Sequence, residues 1–285
     1  MDRPHIAITG VSSGIGYDTC IKAARAGFHV FGSVRNEKDA QQLIDELGDT
    51  FTPLIFDVKD TAAVAEAAHV VRNRLNGQCL RGLVNNAGFS VNGPLLHMPV
   101  QDLVEQFEVN VFGLYRVAQA FLPLLGAAKP IGTQPGRLVT ISSTSGRLAY
   151  PFIGAYAASK HAVEAISDTF RRELAIYGIK VIVIQPGIVN TSIWDKRQKE
   201  SPYADTDYGQ YHIAWFNASE NIKQSGLPVE KVSRMVLHAL RCRNPRTRYV
   251  LLPGGIRTLI KKWYLPRLLP DTWLDKRLRN KWGLR

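Results

Sequence analysis

Cysteine is scarce in this chain of 285 residues. The three present, Cys20, Cys79 and Cys242, are scattered and odd in number. None has metal-ligand spacing, so neither a disulfide framework nor a thiolate metal site is expected, and a reducing, cytoplasmic setting is the default. The seven histidines show no ligand spacing either, and no metal is inferred. A run of roughly 18 or more apolar residues is missing, so no membrane-spanning helix is expected. The opening residues, MDRPHIAITG, lead straight into a strand and a glycine loop, which leaves no room for a signal peptide. No linker rich in Pro, Gly or Ser divides the chain, and no internal repeat or low-complexity segment occurs. One large α/β catalytic domain over 1–255 is expected, followed by a basic extension over 256–285.

Acidic residues run short in one place only. The formal net charge is +12. Residues 1–240 hold 23 Lys/Arg and 22 Asp/Glu, so that part is nearly neutral. Residues 241–285 hold 13 Lys/Arg against 2 Asp/Glu and carry almost the whole excess.

What the chain does contain is an alternation of short apolar runs with helical patterns. Strands are expected at 5–9, 28–34, 51–58, 80–88, 136–143, 180–187 and 248–253. Helices are expected up to about Ala26, then at 37–47, 62–75, 102–125, 155–177 and 228–241. The strands show little polar alternation, which indicates burial on both faces. Strand–helix alternation of this kind gives a doubly wound, seven-stranded parallel sheet of Rossmann type with helices on both faces. Residues 190–227 lack a clear period and are rich in Tyr, Trp, Asp and Ser, as a lid or binding loop would be.

TGVSSGIG (9–16) follows the first strand and opens the first helix. Gly10, Gly14 and Gly16 allow a tight turn and close approach to a pyrophosphate, and the helix N-terminus offers free N–H groups. At the end of the second strand an acid would hold a ribose 2′-hydroxyl. Here the run is Gly32-Ser33-Val34-Arg35-Asn36, with no acid before Glu37. Arg35 can pair with a 2′-phosphate and Ser33 can add a hydrogen bond, so NADP is favoured over NAD.

Tyr156 and Lys160 sit four residues apart, on one face of the expected helix, with Ser143 upstream in VTISSTSGR. A tyrosine, with its pKa near 10, exchanges a proton near neutrality only if something lowers that value. The neighbouring lysine is expected to do so, and the serine to hold the substrate oxygen. Ser142 is the rival to Ser143 but should face the other way on the strand. Thr144 and Ser145 read as loop hydroxyls, and His161 as structural.

Over roughly residues 4–253 the chain resembles the short-chain dehydrogenase/reductase family, classical type. TGVSSGIG matches its cofactor loop, implying contacts from Gly10, Ser12, Ser13, Gly14, Ile15 and Gly16. Asp57 and Val58 stand where the family contacts the adenine ring, and Asn85-Asn86-Ala87-Gly88 match the motif bordering the adenine ribose. Asn110 in VNVFG matches the helix asparagine, which would shape a helix irregularity and hold a water leading from Lys160. Ser143, Tyr156 and Lys160 match the catalytic residues, Lys160 also binding the nicotinamide ribose. Pro186, Gly187, Val189 and Thr191 match the segment along the nicotinamide. Val34 occupies the position of the acid in NAD enzymes, and Arg35 that of the basic residue in NADP enzymes. A finer similarity runs to the retinol, hydroxysteroid and 3-hydroxybutyrate dehydrogenase branches.

The resemblance implies a hydride-transferring oxidoreductase with Tyr156 as general acid or base. Phe152, Ile153, Ile188, Trp194, Tyr203, Tyr208, Tyr211, Trp215 and Phe216 are candidate pocket residues, and so many aromatics point to a lipophilic alcohol or ketone such as a steroid or retinoid. Two alternatives stand beside it: a catalytically silent NADP-binding regulator, and an NAD-dependent dehydrogenase of a small hydroxy acid. A homo-oligomer, dimer or tetramer, is what the family implies.

In the tail, Ile256, Leu259, Ile260 and Trp263 fall on one helical face, and Leu274, Leu278 and Trp282 on another beyond Pro266 and Pro270. Three readings stay open: peripheral contact with a membrane surface, packing over the substrate cleft or another subunit, and an acidic partner. Nucleic acid is not expected, because no reading motif appears.

Overall fold

The structure is a computed structural model that describes residues 3–128, 134–191 and 201–284. Seven strands form one parallel sheet in the order β3-β2-β1-β4-β5-β6-β7. They are β1 (His5–Ile8), β2 (His29–Val34), β3 (Phe51–Ile55), β4 (Gly82–Asn85), β5 (Arg137–Ile141), β6 (Lys180–Pro186) and β7 (Arg248–Leu251).

Their apolar runs lack polar alternation because each strand feeds two cores. Ile6 and Ile8 enter a core with Val30, Ile182 and Ile184, while Ala7 enters the opposite one with Phe31, Leu83 and Leu138. Helices α1 (Gly14–Arg25), α2 (Glu37–Leu47) and α8 (Val229–Arg241) close the first core. Helices α3 (Thr61–Leu75) and α5 (Leu114–Phe121) close the second. Each buried Leu, Ile or Phe contributes about 1.5–3 kcal/mol on leaving water, so both faces must be covered. Side-chain caps set two helix starts: Asn36 accepts from Asp39 N at 2.9 Å, and Asp60 accepts from Ala63 N at 3.0 Å.

The chain changes winding direction between β1 and β4, and such a switch opens a crevice beyond the strands' carboxyl ends. Several expected elements differ in detail. The third strand stops at Ile55, because Asp57 turns the chain and accepts from Lys59 N at 2.9 Å. The expected helix 102–125 starts earlier, as α4 (Val100–Phe107), widens into a π-helical turn over Glu108–Gly113, and resumes as α5. The described part of 190–227 is more regular than its sequence suggests. Its base is clamped by pairing of Val189 with Leu227, and it contains α7 (Gly209–Gln224). Trp194 lies outside the described residues.

Helix α6 (Gly154–Glu173) follows β5 and carries Tyr156 and Lys160 in its first two turns. Beyond β7 the chain forms α9 (Ile256–Leu259), a π turn over Ile260–Tyr264 and α10 (Asp271–Trp282). The π turn breaks the apolar face expected there: Trp263 is buried, while Ile260 is exposed. Among the described residues no helix is long and apolar enough to cross a membrane.

Candidate active site

A cavity of about 880 Å³ runs from the glycine loop, past Tyr156, to the C-terminal helices. At its first end, Gly10 and Gly14 take φ of +70° and +61°, a region that L side chains rarely enter. A Cβ on Gly16 would meet the Gly10 carbonyl oxygen and the Asn86 amide, so the turn closes only around a hydrogen atom. Asn86 holds this loop from outside, donating from Nδ2 to the carbonyls of Thr9 at 2.8 Å and Gly10 at 3.1 Å. Thr9, not picked out from the sequence, accepts at Oγ1 from the backbone of both Asn86 and Ala87.

Ser13 stands at the N-cap of α1 with no side-chain capping bond, and the first turn holds no acid. With Ser12, Gly14 and Ile15 on the cavity wall, free N–H donors and a positive dipole end face inward. That fits a pyrophosphate. Ser33 Oγ accepts from Gly10 N at 2.9 Å, so this serine ties β2 to the loop, and the expectation that it reads a phosphate is narrowed to its single O–H. Arg35 is exposed and lines the cavity. Asp57, Val58, Ala87 and Gly88 line the same end, and Pro186, Gly187, Val189 and Thr191 bound the middle.

Ser143, Tyr156 and Lys160 meet further in. Lys160 is buried and donates from Nζ to Ile141 O at 2.9 Å. Burial lowers its pKa to about 8, and the charge of Glu164 opposes that shift. Tyr156 keeps part of its surface open to the cavity, yet its phenol is enclosed enough that burial raises its pKa, with a hydrogen bond to Ser143 pulling the other way. This corrects the expectation drawn from spacing. Lys160 Nζ lies 5.8 Å from the Tyr156 ring centroid and bonds to a strand carbonyl, and what acts on the phenol is burial and the Ser143 hydrogen bond. Ser143 Oγ also accepts from Ser145 N at 3.0 Å, while the Ser142 hydroxyl is buried against the position of Gly146.

Asn110 occupies the π turn. Its amide donates to Phe89 O at 3.0 Å and Ser159 Oγ at 3.1 Å, and its Oδ1 accepts from Phe89 N at 3.0 Å. It thereby ties the segment after β4 to α6. His161 points away, bonding through Nδ1 to Ala157 O at 2.8 Å.

Behind α6 lies a charge cluster that spacing did not reveal. Buried Glu164 accepts from Gln185 Nε2 at 2.9 Å and Arg248 Nε at 3.0 Å, and Arg147 lies 3.3 Å away. Asp168 extends the cluster to Arg171 and Arg248. The available signal was an acid four residues after the lysine.

The lid aromatics divide. Trp215, Ile153 and Ile188 line the cavity, and Leu148 and Tyr150 join them without having been expected. Phe152, Tyr203, Tyr208 and Phe216 instead pack among themselves around buried His212 and do not line it. Phe152 has φ of +68°, a left-handed backbone held by this packing and by Gly93 N donating to Phe152 O at 2.8 Å. Among the described residues, no cluster of His, Cys, Asp and Glu is placed to hold a metal ion.

Residues 4–202 match the family described as short chain dehydrogenase. The chain is 42% identical over 273 residues to an NADPH-dependent 3-dehydrocapnine reductase of Ornithobacterium rhinotracheale, covering 95% of both chains. It is 32% identical over 286 residues to retinol dehydrogenase 16 of Mus musculus, covering 95% of this chain and 87% of that one. A crystal structure of a short-chain dehydrogenase from Streptomyces avermitilis superposes with a TM-score of 0.77 at 26% identity, over 100% of this chain and 99% of that one.

Proposed function

We propose, for a chain that belongs to the short-chain dehydrogenase family, an NADP(H)-dependent oxidoreductase interconverting a lipophilic alcohol and its ketone or aldehyde. One observation carries this: Tyr156, Lys160 and Ser143 converge inside a cavity that has an open helix N-terminus beside Arg35 at one end and that Leu148, Ile153, Ile188 and Trp215 also line. The similarity to an NADPH-dependent reductase supports the choice of cofactor.

The N–H groups of Gly14 and Ile15 would hold the pyrophosphate, and Arg35 the 2′-phosphate. When bound, the nicotinamide supplies or takes up the hydride. In carbonyl reduction, Ser143 donates a hydrogen bond to the substrate oxygen and stabilises the charge that develops there. Tyr156, which burial keeps protonated across neutral pH, donates its phenol proton to the same oxygen. Lys160 holds a positive charge beside the phenolate as it forms, and Asn110 keeps the π turn and α6 in register. Oxidation runs these steps backwards. The aliphatic and aromatic wall formed by Leu148, Ile153, Ile188 and Trp215 excludes water and selects lipophilic substrates. The experiment is to follow NADPH consumption with a panel of apolar ketones; turnover is expected, and none across the panel would leave a cofactor-binding regulator instead.

A pH prediction follows from the lysine. Lys160 is an ammonium below about 8 and loses its proton above that. Ketone reduction should therefore hold a plateau below about pH 8 and decline above it. Glu164 raises the lysine's pKa, so Glu164→Gln should move the declining limb to lower pH. The profile of kcat/KM for both proteins checks this. An unmoved limb would show that another group governs it.

A further inference from the structure

Outside the cavity, the C-terminal segment leaves a cluster of large apolar side chains in water. Ile260, Tyr264, Leu265, Leu268 and Trp273 are all exposed, Leu268 to 82% and Trp273 to 69%. None of the five lines the cavity or the depression beside α10. A single exposed leucine is ordinary, but a run of this size marks a contact surface.

The backbone gathers these side chains. A π turn closes hydrogen bonds five residues apart, so Ile260 stands beside Tyr264 and Leu265 while Trp263 falls on the other side. Trp263 is buried, with the Arg267 guanidinium 5.0 Å from its ring centroid, and it fastens the turn to the body. Leu268 follows the next turn, Leu265–Arg267. Trp273 stands in the first turn of α10, whose Leu274, Leu278 and Trp282 line the cavity instead. One set of apolar side chains thus holds the segment in place, and another is presented to solvent.

Charge narrows what can cover this surface. Residues 256–284 hold eight Lys and Arg, all exposed, against two acids, Asp271 and Asp275. Among the described residues, none of the eight has an ion-pair partner. Arg257 and Lys276 lie one turn from Ile260 and Trp273, at i,i+3 spacing. Two copies meeting here about a two-fold axis would set these cations against each other. A protein partner would need a packed pocket for each side chain that protrudes singly. A lipid boundary takes such side chains in any arrangement, and Trp, Tyr, Lys and Arg suit the headgroup layer. Anionic lipid also supplies the counter-charge that the segment lacks.

We propose that Ile260, Tyr264, Leu265, Leu268 and Trp273, with the cations around them, dock the protein on the surface of an anionic lipid bilayer. The apolar side chains enter the headgroup boundary, and the cations meet the lipid phosphates. Either signal alone holds a protein weakly, and the two together hold it firmly. Docking of this kind does not depend on the reaction at Tyr156.

The test is co-sedimentation of the full-length protein with vesicles of phosphatidylglycerol and, separately, of phosphatidylcholine. Partition onto phosphatidylglycerol should be about 100-fold stronger at low salt, and the difference should shrink as salt is raised. Leu268→Ser/Trp273→Ser should weaken it about 30-fold, by removing two side chains that enter the boundary. Arg257→Gln/Lys276→Gln should also weaken it about 30-fold, by removing two charges. All four positions are exposed, so both variants should unfold thermally as the unsubstituted protein does. Were one to unfold early, the other variant and the salt response would still decide. Equal partition onto the two lipids would overturn the proposal, as would variants that bind like the unsubstituted protein. So would a lower sedimentation mass of Leu268→Ser/Trp273→Ser with vesicle binding intact, since this face would then join two copies of the chain.

Discussion

Tyr156→Phe is expected to lower kcat/KM for ketone reduction by about 10³-fold, within the range general acid catalysis supplies. The substitution removes one oxygen and keeps the ring, so packing at the start of α6 is retained. Ser143 remains to orient the substrate oxygen, and the glycine loop is untouched, so NADPH binding should be unchanged. Neither neighbour replaces it: Lys160 Nζ is engaged with Ile141 O, and the Ser143 hydroxyl is an aliphatic alcohol, far too weak an acid to yield its proton. Steady-state kinetics with a fluorescence titration of NADPH separates the two effects. A loss of less than tenfold would place the proton donor elsewhere.

Arg35→Asp should invert cofactor preference, changing the ratio of kcat/KM values for NADPH and NADH by roughly 10²–10³-fold. A charge-assisted hydrogen bond contributes about 1.5–3 kcal/mol, and the aspartate both removes it and repels a 2′-phosphate. The same carboxylate can accept from the 2′-hydroxyl of NADH. Ser33 cannot compensate fully, because with its oxygen accepting from Gly10 N it offers a phosphate only one neutral O–H in place of a charged fork. Kinetics with both cofactors at a fixed ketone concentration measures the ratio. An unaltered ratio would show that Arg35 does not read the phosphate.

The parts of this molecule most legible in the sequence are those whose chemistry is local. Gly10, Gly14 and Gly16 are needed where backbone must turn left-handed or approach another segment, and no other residue meets that demand. The parallel sheet was legible because unbroken apolar strands require two covered faces. Other features depend on contacts between distant residues and were not legible. The pKa of Tyr156 follows the balance of burial against the Ser143 hydrogen bond, and helical spacing describes neither. Helix α7 lacks an apolar face of the usual kind because His212, Trp215 and Phe216 pack into an aromatic cluster with Phe152. Trp263 and Ile260 separate because a π turn rotates one away from the other, and a period of 3.6 residues does not anticipate the extra residue. The basic C-terminal segment was legible as composition, but its place on the cavity wall was not.

The ion cluster behind α6 also bears on how the protein comes into being. Glu164 is paired with Arg248, which lies 84 residues later in the chain. At a synthesis rate of about 5–20 residues per second, the carboxylate waits roughly 4–17 s for its partner to leave the ribosome. The β1–β4 layers can assemble during that interval, since all four of their strands precede α6. The helix bearing Tyr156 and Lys160 lacks its full set of counter-charges until β7 docks at the edge of the sheet. In chain order, the glycine loop and Arg35 are therefore available before Tyr156 and Lys160, and the last counter-charge behind α6 arrives only with β7.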